Sequence, residues 1–252
     1  MPFFNSDGVS IHYEVSGAGQ PVVLIHGFSS SYARNWVAPG WVEFLTRHGF
    51  QVIGLDVRGH GESQKSYDPQ DYRTPLMAGD VLNLMDHLAL VQPDLMGYSM
   101  GGNLSLYLLI YHGGRFRRAV VGGVGDGALN GRAETRNAAQ IADALETTTP
   151  QSIADPLARQ FRQFAERTNN DLRVLAAVMR RPGWPSEPER VRRIDRPVLI
   201  VAGEQDEVVS GTRNLAEAIG GARLVTIPDR NHLTVVGDPR FKDAMLDFLS
   251  EA

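Results

Sequence analysis

Six short runs of nearly uninterrupted apolar residues recur along the chain, each closed by turn residues and followed by a stretch of helical period, and this alternation leaves few folds open. The runs are VVLIHG (residues 22–27), QVIGLD (51–56), DLMGYS (94–99), RAVVGGV (118–124), PVLIVAG (197–203) and ARLVTIP (222–228). A strand with one wet face alternates apolar and polar residues. A run that is apolar throughout needs cover on both faces, which a parallel sheet between helices supplies. The expected fold class is therefore α/β, a mostly parallel central sheet flanked by helices. One early segment, VSIHYEVSG (residues 9–17), does alternate and is expected as an edge strand with antiparallel pairing.

The helices between the runs announce their starts. Thr74-Pro75 places an N-cap acceptor before a proline, and Met77, Val81, Leu84, Met85 and Leu88 then mark one buried face. Asp238-Pro239 opens the last helix in the same way. From residue 126 to 196 the alternation breaks, with three or four helical stretches and no convincing strand. Asp155-Pro156 begins one of these, with Leu157, Phe161, Phe164 and Ala165 on a face; Leu172, Leu175, Ala176 and Met179 line another. This block carries 12 arginines against 10 acidic residues in a chain whose net charge is −4, so it differs in charge from the rest. It is expected as a helical cap (126–196) inserted into a core domain made of residues 1–125 and 197–252.

With 252 residues and 42% hydrophobic content the chain can bury a large core. The charge balance gives no reason to expect nucleic acid or an anionic membrane as partner. Cysteine is absent, which removes thiolate nucleophiles, disulfides and cysteine-based zinc sites. There is no basic leader and no run near the roughly 18 apolar residues of a membrane helix, so a cytoplasmic protein is expected. Nothing in the sequence fixes an oligomeric state.

Gly97-Tyr98-Ser99-Met100-Gly101 matches the nucleophile elbow G-x-S-x-G in its required setting, with strand before and helix after. The turn is so tight that side chains at the glycine positions would meet backbone, and the serine is forced toward a strained conformation. A serine hydroxyl needs a base to attack at neutral pH, and the base needs an orienting carboxylate. Among seven histidines, His232 lies in the loop between the last strand and the last helix, where a side chain can reach back over the carboxyl edge of the sheet. Asp206, in VAGEQDEVVS after the fifth run, is the expected carboxylate, with Asp126, Glu204 and Glu207 as alternatives. Acyl transfer also needs N–H donors for the oxyanion. Met100 N–H, at a helix start, is one; Phe28 N–H, after the turn at His26-Gly27, is the other.

With Ser99, Asp206 and His232 in that order, together with HGF and DVRGHGES (residues 56–63), the sequence resembles the α/β-hydrolase superfamily over essentially its whole length. The resemblance implies a ping-pong mechanism. Ser99 attacks a carbonyl while His232 takes its proton, and water then cleaves the acyl-enzyme, with no metal or organic cofactor required. It also implies a structural rather than catalytic role for Asp56 to Ser63. Serine at the elbow disfavours the haloalkane dehalogenases and epoxide hydrolases of this fold, which carry aspartate there.

The expected pocket lining of Phe28, Trp36, Tyr98, Met100, Phe161 and Met179 is apolar, which favours a small carboxylic ester with an apolar or aromatic acyl part as the substrate. Carbon–carbon bond hydrolases share the Ser/Asp/His set, but their glycine-proline-rich loop is not matched by HGFSSSYARNW. A perhydrolase activity is a further alternative, and so, from a different class, is a ligand receptor that retains the fold without turnover.

Overall fold

The computed structural model describes residues 2–130 and 138–251. Its sheet has eight strands: β1 (Phe3–Ser6), β2 (Val9–Ser16), β3 (Gln20–Ile25), β4 (Phe50–Leu55), β5 (Asp94–Tyr98), β6 (Ala119–Gly122), β7 (Val198–Gly203) and β8 (Arg223–Ile227). They run in the order β1-β2-β4-β3-β5-β6-β7-β8. From β4 to β8 every neighbouring pair is parallel, while β2 pairs antiparallel with both β1 and β4. All six apolar runs are strands of the parallel part.

The segment expected at the edge is not there. β2 lies one strand in, because Phe3–Ser6 forms a hairpin with it through Asp7-Gly8. Both turn residues have positive φ (49° and 91°), the conformation that Asp-Gly supplies to a two-residue hairpin. Four residues are too few to show a period, so the hairpin had to be read from that dipeptide.

The described residues form ten helices: α1 (Trp41–Arg47), α2 (Thr74–His87), α3 (Met100–His112), α4 (Gly127–Asn130), α5 (Ala138–Glu146), α6 (Pro156–Thr168), α7 (Leu172–Met179), α8 (Pro188–Val191), α9 (Thr212–Ala218) and α10 (Pro239–Ser250). Alternate strand residues feed two cores. Val22, Leu24, Val52 and Met96 pack with Trp41 and Leu45 of α1 and Phe241, Met245 and Phe248 of α10. Val23, Ile25, Ile53 and Leu95 pack with Val81 and Leu84 of α2 and Leu104 and Leu108 of α3 on the opposite face. Burying one such aliphatic side chain contributes roughly 1.5–3 kcal/mol, which is why the strands tolerate no polar interruption.

Asp155 and Asp238 cap α6 and α10 as their sequences imply, each accepting a main-chain N–H through its carboxylate. α2 starts one residue earlier than expected, with Thr74 inside the helix and Arg73 at the cap. Between β6 and β7 the described residues form α4 to α8 and no strand; residues 131–137 of the expected block lie outside the described residues. Arg162 of α6 is buried, and its guanidinium donates to the carbonyls of Ala144, Leu145 and Thr147 at the end of α5 (2.8, 3.1 and 3.0 Å). It thus satisfies acceptors that a helix terminus leaves open. No described helix is long and apolar enough to cross a membrane.

Candidate active site

Parallel strands present all their carboxyl ends along one edge, and the loops leaving β3, β5, β7 and β8 meet there. Ser99 follows β5, in the middle of the sheet. Its backbone is left-handed (φ 55°, ψ −112°), and it stands at the N-cap of α3. The flanking glycines are required by space. A Cβ on Gly97 would lie 2.1 Å from the Gly101 carbonyl oxygen, and one on Gly101 would lie 2.1 Å from that of Ile25. The strand-to-helix turn therefore exposes the serine hydroxyl at the edge under strain held by packing on both sides.

His232, in the loop between β8 and α10, places Nε2 2.9 Å from Ser99 Oγ. Its Nδ1 is 2.8 Å from Asp206 Oδ2, in the loop after β7. The carboxylate is itself fixed, since Asp206 Oδ1 accepts the N–H groups of Val208 and Val209 (2.9 and 3.2 Å). Nδ1–H donates to the carboxylate in this arrangement, which leaves the Nε2 lone pair facing the serine hydroxyl. Both the imidazole and the carboxylate are almost wholly buried, with 6% and 3% of their side chains exposed. The alternatives lie elsewhere: Asp126 accepts from Asn214 (2.8 Å), and Glu204 accepts from Asp229 N–H (3.4 Å).

Tyr98 does more than line the site. Its hydroxyl donates to the main-chain carbonyl of His232, and its ring lies 5.4 Å from the imidazole. Burial, reinforced by the negative charge of Asp206, pushes its pKa well above the ordinary tyrosine value, so it stays a donor.

The loop after β3 approaches from the other side. A Cβ on Gly27 would stand 3.3 Å from the Tyr98 carbonyl oxygen and 3.5 Å from Ser99 Cβ. Gly27 N–H donates to Asn35 Oδ1 (3.0 Å), on the helical turn Ala33–Val37. His26 is neutral by geometry. Its Nε2 accepts Val57 N–H (3.0 Å) and its Nδ1 donates to Gly27 O (2.8 Å), while burial holds its pKa below the usual histidine value. Phe28 follows in the same loop, and Met100 is the first residue of α3, where helix amides have no partner within the helix.

Residues 56–63 build the floor under this loop. Asp56 accepts from Tyr32 N–H, Glu62 N–H and the His12 ring (2.7, 2.9 and 2.9 Å). Burial alone would raise its pKa, but these donors bring it below the usual carboxylate value. Arg58 forms a buried two-pronged pair with Asp80 (2.6 and 2.7 Å).

A cavity of about 300 Å³ opens on Ser99 and His232. Phe28, Phe161, Phe164, Val208, Leu233 and Val236 give it apolar walls, and Arg34, Asn35, Gln160 and Thr168 add polar groups. Of the expected lining, Phe28, Tyr98 and Phe161 are on its wall. Met100, Trp36 and Met179 are not. Met100 is buried beneath the elbow, in the core shared with α2 and α3. Trp36 follows Asn35 on a helical turn, where successive residues point roughly 100° apart, so Asn35 meets the cavity and Trp36 packs against Trp41. Met179 ends α7 inside the core shared with α5. Sequence reading missed Arg34, Asn35, Gln160 and Thr168, which sit in no motif and reach the cavity only through the fold.

A turn-strained serine at the carboxyl edge of the central strand, bonded to a histidine and through it to an aspartate, defines a class of α/β protein whose ligands meet that edge. A family model described as the alpha/beta hydrolase fold matches residues 20–124. A candidate non-heme chloroperoxidase of Synechocystis is 30% identical over 90% of this chain and 90% of its own. Among solved structures, a hydrolase from Pseudomonas aeruginosa superposes with a TM-score of 0.78 at 28% identity, covering 99% of this chain and 98% of the other. The enol-lactonase from Burkholderia xenovorans gives 0.76 at 26%, covering 99% of this chain and 100% of the other. The chain belongs to the α/β-hydrolase family.

Proposed function

We propose that the protein is a serine hydrolase that cleaves a small carboxylic ester or lactone through an acyl-enzyme. The observation that carries this reading is the 2.9 Å contact between His232 Nε2 and Ser99 Oγ, continued to Asp206 at 2.8 Å. Ser99 attacks the carbonyl carbon as its proton passes to Nε2, Asp206 stabilises the imidazolium, and the oxyanion rests on the N–H groups of Phe28 and Met100. His232 then protonates the leaving alcohol. Water attacks the acyl-enzyme with the same imidazole as base.

Residues 126–196 act as the cap in this reading, α6 supplying Phe161 and Phe164 to the cavity. The apolar walls support a substrate with an apolar acyl part, and a cytoplasmic location belongs to the same reading. Arg34 adds a specific element. It is the one arginine or lysine on the described cavity wall, no carboxylate lines that wall, and no hydrogen bond or ion pair among the described residues engages its guanidinium. An acyl chain ending in a carboxylate would find its counter-charge there. The enol-lactonase resemblance supports including lactones.

Turnover of p-nitrophenyl esters of increasing chain length, alongside a lactone, an amide and a vinylogous diketone, tests the reading. Multiple turnovers on ester or lactone, lost in Ser99→Ala, are expected. Turnover of the diketone alone would replace it with carbon–carbon bond hydrolysis.

A further inference from the structure

The loop that carries the Phe28 amide is held from outside the sheet domain. Ser29, next in the chain, is fully buried and left-handed (φ 57°), a conformation unfavourable for a residue with a Cβ. Its support comes from the end of α6, 139 residues away. Ser29 Oγ and Thr168 Oγ1 are 2.9 Å apart, and Asn170 Nδ2 donates to the Ser29 carbonyl (3.1 Å) and to Thr168 Oγ1 (3.3 Å). Thr168 spends its own proton on the Ala165 carbonyl (2.9 Å), so the Ser29 hydroxyl is the donor in the first contact. The threonine oxygen thus gives one hydrogen bond and accepts two. Two turns earlier on α6, Phe161 packs its ring 5.9 Å from that of Phe28.

We propose that Thr168 and Asn170 are positioning residues for the reaction. They form a latch that keeps Ser29 left-handed and so aims the Phe28 N–H at the oxyanion. The inference rests on the hydrolase reading and adds to it a dependence of transition-state stabilisation on the helical block. The Phe28 amide is bracketed: Asn35 holds the Gly27 side of the peptide from within the sheet domain, and the latch holds the Ser29 side. With the latch removed, Ser29 relaxes toward negative φ, the Phe28–Ser29 peptide turns with it, and Phe28 with its own N–H one peptide upstream is displaced. Asn170 is not on the cavity wall, so Asn170→Ala leaves the apolar walls that set ground-state binding in place.

The test compares Thr168→Val, Asn170→Ala and Thr168→Ser with the wild type on a p-nitrophenyl ester. Inhibition by an alkylboronic acid, which forms a tetrahedral adduct on serine, is measured beside inhibition by the product carboxylate. Removing one oxyanion donor costs about 10²–10³ in kcat, so misaiming one is expected to cost about tenfold or more. That loss is expected in Thr168→Val and Asn170→Ala with KM within about threefold, and boronate inhibition should weaken in parallel while carboxylate inhibition is unchanged. Thr168→Ser, which keeps the hydroxyl, should restore both. Asn170→Ala carries the test if Thr168→Val does not fold. Full kcat in a folded Thr168→Val or Asn170→Ala, or a loss that Thr168→Ser shares, would overturn the latch while leaving the hydrolase reading standing. A folded wild type with no turnover and no boronate binding would overturn both.

Discussion

The hydroxyl of Tyr98 donates to the main-chain carbonyl of His232, so the residue immediately before Ser99 holds the loop that brings the imidazole to it. The end of β5 and a loop that the chain places more than a hundred residues away are thereby tied at one atom pair. Tyr98→Phe removes only the donor and leaves a buried carbonyl unpaired, a loss of about 1–3 kcal/mol in stability. The imidazole loop would also lose its register against the elbow. Expected from kinetics on a p-nitrophenyl ester is a fall in kcat of about tenfold with little change in KM, since a small misplacement of a base is felt in the chemical step. Unchanged kcat would mean that the imidazole is held by Asp206 alone.

His60 gives the fold an acid sensitivity that is separable from catalysis. The ring is fully buried beside His26 and Phe28, and burial first, with the positive charge of Arg181 adding to it, brings its pKa down to about 3. An unfolded histidine takes up a proton near pH 6.5, so between there and 3 the unfolded chain holds the extra proton. Stability is therefore complete above about pH 6.5 and falls on acidification, by up to about 1.4 kcal/mol per pH unit for this one group. His26, also lowered by burial, acts in the same sense, whereas Asp56 contributes only at more acidic pH. Urea denaturation from pH 7.5 to 4.5 should show this slope, reduced in His60→Gln. An equal slope in both proteins would contradict the assignment.

In the proposed reading, Arg34 is expected to set a charge preference. Against p-nitrophenyl hemiglutarate, Arg34→Gln is expected to lose about tenfold in kcat/KM, a modest value because the residue is exposed to solvent. Against p-nitrophenyl valerate, which lacks the carboxylate, it should stay within about twofold of wild type. Equal effects on both esters would remove the carboxylate from the proposed substrate.

The Arg58–Asp80 pair supports the floor of the site rather than its chemistry. Asp80 is 1% exposed and also accepts the Ser6 hydroxyl (2.6 Å), tying α2 to the β1 hairpin. Asp80→Ala leaves a buried guanidinium without its counter-ion, a loss of about 3–5 kcal/mol by urea denaturation. A loss under 1 kcal/mol would show that water reaches Arg58 freely.

The strands were legible because burial on both faces leaves a continuous apolar signature, and Ser99, Asp206 and His232 could be picked out because each follows such a run. What the sequence hid are relations between loops. The hairpin of β1 rested on a dipeptide, Asp7-Gly8, with no period behind it. Trp36 and Met179 have the residue type of pocket walls, but one step around a helical turn decides whether a side chain meets a cavity or a core. Arg162 has the residue type of a solvated face and is instead buried as a cap on α5. Thr168 and Asn170 reach Ser29 only after α6 has docked, so no local pattern encodes the contact.

The account stands on Ser99 as nucleophile and His232 as its base. Intact-mass spectrometry of the folded protein after brief exposure to a fluorophosphonate, followed by peptide mapping, addresses this most directly. A single adduct on Ser99 is expected, absent in Ser99→Ala and formed at least tenfold more slowly in His232→Ala. Folded protein that stays unlabelled, or that carries the adduct on another residue, would contradict it.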